Sequence, residues 1–446
     1  MNITAPTTSP SSVRVDHRQI LSIAVPMILS AITIPLAGMV DTAVVGHLDD
    51  VRYLAAVAVS ASVFAFLFMI FNFLRMGMTG RAARFFGAGD DAALGRLLWQ
   101  GLLIAMVIGM MLILLQAPLA GIGLGLMGAS QAVTEEARWY FAIRIFGAPF
   151  LLSIYVLTGW LVGVQRTRLV LALLLVNNGV NIALDLLFVP VLGFRVAGVA
   201  LATVLAEVAA FGFGLWMLWR EGMLGRPPVL ARLFGQGEAM QLLHLNRDLF
   251  LRTVALMSVF TFFTAQGARQ GEEILGANAV LLGMFVFAAY GLDGFAYAAE
   301  ALVGQSLGAR DRPALRRSLW LTALWSLFQA VLMVLGFVLI GGWWIDLLTD
   351  LEPIRALARD YLPWVMAMPL VGFWAFWLDG VFVGATLSRD MRNTMLLAAA
   401  GFFLFWHLLR PLGNHGLWLA MMLFFALRGV LLGSRLWRHY RFWAGP

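Results

Sequence analysis

Residues 87–99 read GAGDDAALGRLLW, and residues 308–320 read GARDRPALRRSLW, so the second stretch repeats the first at an offset of 221 positions. At the same offset Gly159 matches Gly380, Gly163 matches Gly384, Arg168 matches Arg389 and Pro190 matches Pro411. Chance similarity between Leu- and Ala-rich helices does not explain polar loop residues that match without a gap. The pattern therefore predicts a tandem duplication.

The composition around these repeats is that of a membrane protein. Of 446 residues, 61% are hydrophobic and 12% are charged, whereas about one-quarter of the residues in a soluble domain are charged. A membrane-spanning helix needs about 20 mostly apolar residues. Twelve such spans are predicted, at residues 20–46, 54–75, 97–118, 138–163, 169–191, 196–219, 249–268, 276–299, 318–340, 361–385, 394–412 and 416–437.

Arginines are concentrated in alternate loops, which predicts the topology. They precede span 1 and lie between spans 2 and 3, where Arg75 is placed, between spans 4 and 5, between spans 6 and 7, and after spans 8, 10 and 12. Loops with excess positive charge face the cytoplasm. Both termini are therefore predicted to be cytoplasmic, which requires an even number of spans.

The predicted organisation is all-α, with two six-helix lobes. The predicted parts are a disordered cytoplasmic tail at 1–19, an N-lobe of spans 1–6 at 20–219, a cytoplasmic linker at 220–248, a C-lobe of spans 7–12 at 249–438, and a cytoplasmic C-terminal tail at 439–446. Two parallel halves of this kind leave a cleft between them, where a transported molecule binds. The sequence contains no Cys and no Lys, which excludes disulfides, thiolate metal sites and the lysine of a phosphate-binding P-loop.

Acids inside the spans are the first candidate site residues, because an ionised group at a helix centre is costly and normally faces protein or water. Two further candidates, Asn178 and Asn181, share a helical face with Asp185 and form a polar stripe on span 5. A purely structural role, as capping or internally paired groups, is the alternative for Glu207, Glu300 and Asp379. The six acids are Asp41 in span 1, Asp185 in span 5, Glu207 in span 6, Asp293 and Glu300 in span 8, and Asp379 in span 10.

Span 1 has features of a helix that can bend. Pro26 and Pro35 each remove a backbone hydrogen bond, and Gly38 follows close to Asp41. The alternative is that these prolines are simply tolerated, as in many membrane helices. Arg144 in span 4 is predicted to lie near the outer end of its helix and to pair with an acid such as Glu135.

Several stretches together resemble the multidrug and toxic compound extrusion (MATE) family, and most closely its DinF branch. They are PLAGMVDTAVVGHL at 35–48, LNRD at 245–248, LDGFAYAAE at 292–300, and the repeated loops at 87–99 and 308–320. The resemblance implies a V-shaped twelve-helix exporter that expels organic cations in exchange for H⁺ or Na⁺. It assigns ion coupling to Asp41 on span 1, Asn181 and Asp185 on span 5, and Thr203 on span 6.

Two departures from the family pattern bear on the coupling ion. Span 7 has no acid between Leu249 and Gln266, and span 4 has no Asn between Ser153 and Trp160. Both omissions favour H⁺ over Na⁺, and Na⁺ held by the four assigned residues is the alternative. The positions that match Asp41 and Asp185 in the second half are Phe262 and Trp406, so ion coupling is predicted to reside in the N-lobe alone.

The predicted function is secondary active export of organic cations from a bacterial inner membrane, with Asp41 and Asp185 titrating as a coupled pair. Glu207, Asp293, Glu300, Asp379 and Asn178 are candidates for cargo binding or secondary coupling. The chain is predicted to be monomeric, to contact membrane lipids, and to need no cofactor and no nucleic acid. One alternative is a flippase or exporter of a lipid-linked or anionic substrate, and a more distant one is a polytopic membrane enzyme.

Overall fold

The computed structural model describes residues 13–48, 50–225 and 238–444, and helices occupy nearly all of them, with no strand in these ranges. We number the spans as in the sequence. Their observed bounds are His17–Gly46, Val51–Ala88, Asp91–Leu114, Gln131–Gly163, Thr167–Phe188, Arg195–Arg220, Glu238–Gln270, Glu272–Gly308, Arg312–Leu348, Glu352–Gly384, Ser388–Leu409 and Gly413–Ala444.

The described residues contain eleven stretches that are long and apolar enough to cross a membrane. The last of these, Ser388–Arg441, consists of two helices joined by a short 3₁₀ turn at Arg410–Leu412. Counting them separately gives the twelve spans that hydropathy predicts. Spans 2 and 4 are each interrupted by a short turn, and a short apolar helix, Gln116–Met127, follows span 3.

Several helices are longer than their apolar segments. Span 2 extends to Ala88, so Arg75 is buried within it, and the placement of Arg75 in a cytoplasmic loop was wrong. Helix also covers the ends of the predicted linker and tails: span 1 begins at His17, span 7 begins at Glu238, and span 12 continues to Ala444. The rest of the predicted linker, at 226–237, and the tail residues 1–12 and 445–446 lie outside the described residues.

Matched local geometry accompanies the sequence repeat. Asp90 and Asp311, which are 221 residues apart, each cap the helix that follows by accepting a hydrogen bond from a backbone N–H, of Ala93 and Ala314 respectively. The residues just before them, Gly89 and Arg310, both have positive φ angles, of 68° and 55°. The two lobes therefore turn from span 2 to span 3, and from span 8 to span 9, in the same way.

The lobes meet about a pseudo-twofold axis between spans 2 and 8. A side chain at Gly87 would overlap the backbone of Gln305, and one at Gly308 would overlap the backbone of Arg84. Because Arg84 and Gln305 are themselves 221 residues apart, these two contacts are images of each other. Glycine is needed at both positions, since only a residue without a Cβ lets the backbones approach so closely.

A separate apolar cluster joins the first half of span 1 to the C-lobe. Ile20 and Ile23 pack there against Phe295 and Leu302 of span 8. The lobes are thus joined at the end of the bundle where span 1 begins. The second half of span 1, which carries Asp41, lies beyond this junction and is only partly buried.

Repeat-related glycines also set the packing within each lobe. A Cβ at Gly159 would overlap the carbonyl oxygen of Arg75, and one at Gly380 would overlap that of Ala296. We expect Gly159→Ala or Gly380→Ala to lower stability by roughly 1 to 3 kcal/mol, seen as a fall of several degrees in the melting temperature of the detergent-solubilised protein.

The matched control is Gly95→Ala, because a Cβ at Gly95 would meet no atom within 4 Å. Alanine favours helix over glycine, so the melting temperature of this control should stay the same or rise. Equal effects of the three substitutions would contradict close packing at Gly159 and Gly380.

Candidate functional site

Asp41 of span 1 and Asp185 of span 5 face each other within the N-lobe. Spans 1 and 5 pack along each other, and the two carboxyl groups interact directly. The Asp185 side chain is fully buried, whereas Asp41 is partly exposed. The fold therefore brings together the two acids for which the sequence predicts a coupled pair.

The pair lacks the donors that buried carboxylates normally have. Within the described chain, no N–H or O–H group makes a hydrogen bond to either oxygen of Asp185 or to Oδ1 of Asp41. Two facing carboxylates repel each other when both are ionised, whereas a shared proton turns the repulsion into a hydrogen bond. A small cation between them would have the same effect. The geometry therefore suits a proton or a small cation.

Asn181 and Thr203 complete the group that the family resemblance assigns. Asn181 lies one helical turn before Asp185 and interacts with it. Its Nδ2 donates to Oγ1 of Thr203 on span 6 at 3.3 Å, and that hydroxyl donates to the carbonyl oxygen of Val199 at 2.9 Å. Spans 1, 5 and 6 thus place all four predicted ion-coupling residues in one neighbourhood.

Span 5 also holds the proline-containing part of span 1. Pro26 cannot donate to the carbonyl of Ser22, and Oγ1 of Thr167 at the start of span 5 donates to that oxygen at 3.0 Å. Further along, Nδ2 of Asn178 donates to Oγ1 of Thr33 at 2.7 Å. Span 1 runs as one helix through both of its prolines. Bending near Pro26 or Pro35 therefore stays a prediction.

Glu207 forms a buried ion pair with Arg144. Two hydrogen bonds join the side chains, at 2.9 and 2.6 Å, and the guanidinium also lies over the rings of Phe64 and Phe68. The prediction that Arg144 pairs near Glu135 was wrong, because the turn between the two helices of span 4 directs Arg144 towards span 6. Its positive charge lies close enough to affect Asp41.

Glu300 pairs across the lobe boundary with Arg75. Nη1 of Arg75 lies 3.2 Å from Oε2 of Glu300, and the guanidinium stacks over the ring of Tyr297 at 4.6 Å. Arg75 belongs to span 2 of the N-lobe and Glu300 to span 8 of the C-lobe. Asp293, two helical turns before Glu300, is half-buried and lies within electrostatic reach of Arg75.

Asp379 is shared by two arginines of the C-lobe. Its Oδ2 accepts a hydrogen bond from Nη2 of Arg252 on span 7 and another, at 2.6 Å, from Nη2 of Arg428 on span 12. Span 7 therefore contributes a base where the family pattern leads one to expect an acid. The sequence analysis missed both arginines because only acids were considered, although each lies inside a predicted span.

The secondary candidates do not form one site. Arginines neutralise Glu207, Glu300 and Asp379 at three separate places, and Asn178 is bonded to Thr33. A cavity of about 860 Å³ opens between the lobes near Arg84 and Arg389, but none of the predicted site residues lines it. The unpaired carboxyl pair in the N-lobe is therefore the strongest candidate for ion coupling.

Comparison with known proteins identifies the family. The MatE family model matches residues 26–187 and 249–406, one segment in each lobe. The chain belongs to the MATE family of membrane transporters. It is 46% identical over 424 residues to the DNA damage-inducible protein F of Escherichia coli strain K12, which covers 94% of this chain and 92% of that protein. This relative agrees with the predicted DinF branch.

Other MATE proteins are more distant. The chain is 26% identical to a probable multidrug resistance protein NorM of a Synechococcus strain, over 95% of this chain and 94% of that protein. A MATE structure in a straight conformation aligns with a TM-score of 0.87 at 18% identity, covering 96% and 97% of the two chains. An outward-facing multidrug resistance MATE transporter aligns with a TM-score of 0.84 at 19% identity, covering 94% and 95%.

These matches bear out the all-helical, twelve-span architecture. Membership of a transporter family also agrees with the prediction of a transporter rather than a membrane enzyme. The repeated family match coincides with the duplication read from the offset of 221 residues.

Proposed function

We propose that this MATE chain is a secondary active exporter of the bacterial inner membrane, which expels organic cations in exchange for inward-moving H⁺. The observation that carries the proposal is the Asp41–Asp185 pair, whose facing oxygens lack other donors. The more distant NorM relative is described as a probable multidrug resistance protein, which supports a varied set of cargo molecules. Both termini are placed in the cytoplasm, by the distribution of arginines.

The neighbourhood of the pair supports H⁺ rather than Na⁺. Sodium requires several oxygen ligands, and Thr203 would have to supply one. Its hydroxyl already accepts from Asn181 and donates to Val199, so sodium binding requires these bonds to rearrange. A proton shared by two carboxyls needs no further ligand.

The proposed cycle uses protonation as its switch. Protons from outside neutralise the pair and weaken its attraction for a bound organic cation, so the cation leaves. Loss of the proton to the cytoplasm restores the negative charge and the affinity for cargo. Span 1 is coupled to the pair because it carries Asp41 and is bonded to span 5 at Ser22 and Thr33. A change at the pair can therefore alter how span 1 packs.

Charge around the N-lobe site favours cationic cargo. Asp41, Asp185 and Glu207 supply three acids there, and Arg144 supplies one base. With one proton on the carboxyl pair, the group still carries net negative charge. An organic cation that approaches this wall of the cleft is attracted by it.

A second candidate is export of an anionic or lipid-linked substrate. The observation in its favour is the pair of buried arginines, Arg252 and Arg428, in the C-lobe. Arg144 is therefore not the main intramembrane arginine, and this part of the sequence-based argument for cationic cargo was wrong. The N-lobe acids still favour a cargo with at least one positive charge.

The proposal is tested with everted membrane vesicles and a fluorescent cation, the methyl ester of a rhodamine dye. In these vesicles the outer face of the membrane lines the interior, so export appears as dye uptake. We expect an acidic interior to drive uptake, and a high interior Na⁺ concentration at equal pH to have no effect. Uptake driven by Na⁺ alone would overturn proton coupling, and uptake that responds to neither gradient would overturn antiport.

A further inference from the structure

Arg252 and Arg428 are buried in the C-lobe and share a single carboxylate oxygen. Their exposures are 8% and 3%, and both donate to Oδ2 of Asp379. Two guanidinium groups on one carboxylate leave a local excess of one positive charge. Buried charges are normally paired one to one, so this arrangement needs a reason.

Hydrogen-bond donors are also left over. A guanidinium has five N–H groups, and no acceptor in the described chain pairs with Nε of either Arg252 or Arg428. Arg428 covers part of its face with the rings of Phe424 and Phe425, at 5.5 and 5.2 Å. An unpaired buried donor costs about 1 to 3 kcal/mol. An anionic group at this place would supply the missing acceptors.

The arginine pair lies where the lobes face each other. Nη1 of Arg252 is 4.0 Å from Sδ of Met76, which belongs to span 2 of the N-lobe. The side chain of Asp379 retains 13% exposure. The group is therefore next to the space between the lobes rather than sealed inside the C-lobe.

Asp293 does not remove the need for an acceptor. It lies close enough to Arg252 and Arg75 to feel their charges, so it lowers the long-range positive potential. It makes no salt bridge within 4 Å in the described chain. An anion would thus be held by short-range hydrogen bonds from the arginines, because long-range attraction is largely balanced.

The two walls of the cleft consequently offer opposite chemistry. The N-lobe presents a carboxyl pair without donors, and the C-lobe presents guanidinium N–H groups without acceptors. We propose that Arg252 and Arg428 form an anion subsite that selects zwitterionic cargo, with its cation towards Asp41 and Asp185 and its carboxylate towards the arginines. The inference rests on the proposed export function and specifies a cargo class for it.

The test compares two forms of one dye, a rhodamine zwitterion with a free benzoate and its methyl ester, which is a monocation. Either Arg252→Met or Arg428→Met leaves the remaining arginine and Asp379 as a neutral pair, so both variants are expected to fold. Hydrogen bonds to charged groups contribute about 1.5 to 3 kcal/mol. The zwitterion should therefore bind about tenfold or more weakly, while the ester binds as in the wild type.

Binding of both dyes is measured on the detergent-solubilised protein by fluorescence, without a gradient, and uptake is measured in everted vesicles. Arg438→Met is the control, since Arg438 is exposed on span 12. Equal losses for the two dyes, or no loss for the zwitterion, would overturn the subsite. If the wild type binds the zwitterion no better than the ester, selection of zwitterions is also refuted. Failure of the wild type to take up the ester under a pH gradient would instead count against the proposed function.

Discussion

Substituting Asn for Asp41 or Asp185 is expected to abolish uptake of a cationic dye driven by a pH gradient in everted vesicles. Asparagine keeps the shape of the side chain but can neither bind nor release the coupling proton. The remaining carboxyl also loses the neighbour with which it shares that proton. Uptake should fall to the level seen without a gradient, at unchanged amounts of protein in the membrane.

Asp360→Asn is the matched control for these two variants, because Asp360 is exposed near the start of span 10. It should retain wild-type uptake. Dye binding to the Asp41 and Asp185 variants should also lose its dependence on pH. Gradient-driven uptake at the wild-type rate in either variant would refute the assignment of coupling to this pair.

Removing one partner of the Arg144–Glu207 pair is expected to have the largest effect on stability. Either Arg144→Met or Glu207→Leu leaves an uncompensated charge inside the N-lobe, which costs about 3 to 5 kcal/mol. We expect a marked fall in the melting temperature of the detergent-solubilised protein, or loss of the folded peak in size-exclusion chromatography.

The double variant Arg144→Met/Glu207→Leu removes both charges and should recover most of this stability, because replacing a whole buried ion pair by apolar groups is often neutral. Recovery together with pH-driven uptake would assign Glu207 a structural role. Recovery without uptake would instead show that Glu207 takes part in transport. Single variants as stable as the wild type would contradict the buried pairing.

The contrast between these two predictions shows where sequence reasoning succeeds. Asp41, Asp185, Asn181 and Thr203 were found from position in the spans and from motif resemblance, and the structure places them together. Glu207, Glu300 and Asp379 looked equally promising as acids in apolar helices. Each has an arginine partner on another span, so a list of intramembrane acids cannot separate paired from unpaired groups.

The sequence by itself determined the number of spans, the duplication and the lobe that carries the unpaired acids. These follow from hydropathy, from a repeat at constant offset and from residue identity, all of which are properties of the chain read in order. The partners of the buried charges were decided only by the tertiary structure. Arg75 meets Glu300 across 225 residues, and Arg252 meets Asp379 across 127, because such pairs depend on how helices rotate and pack against one another.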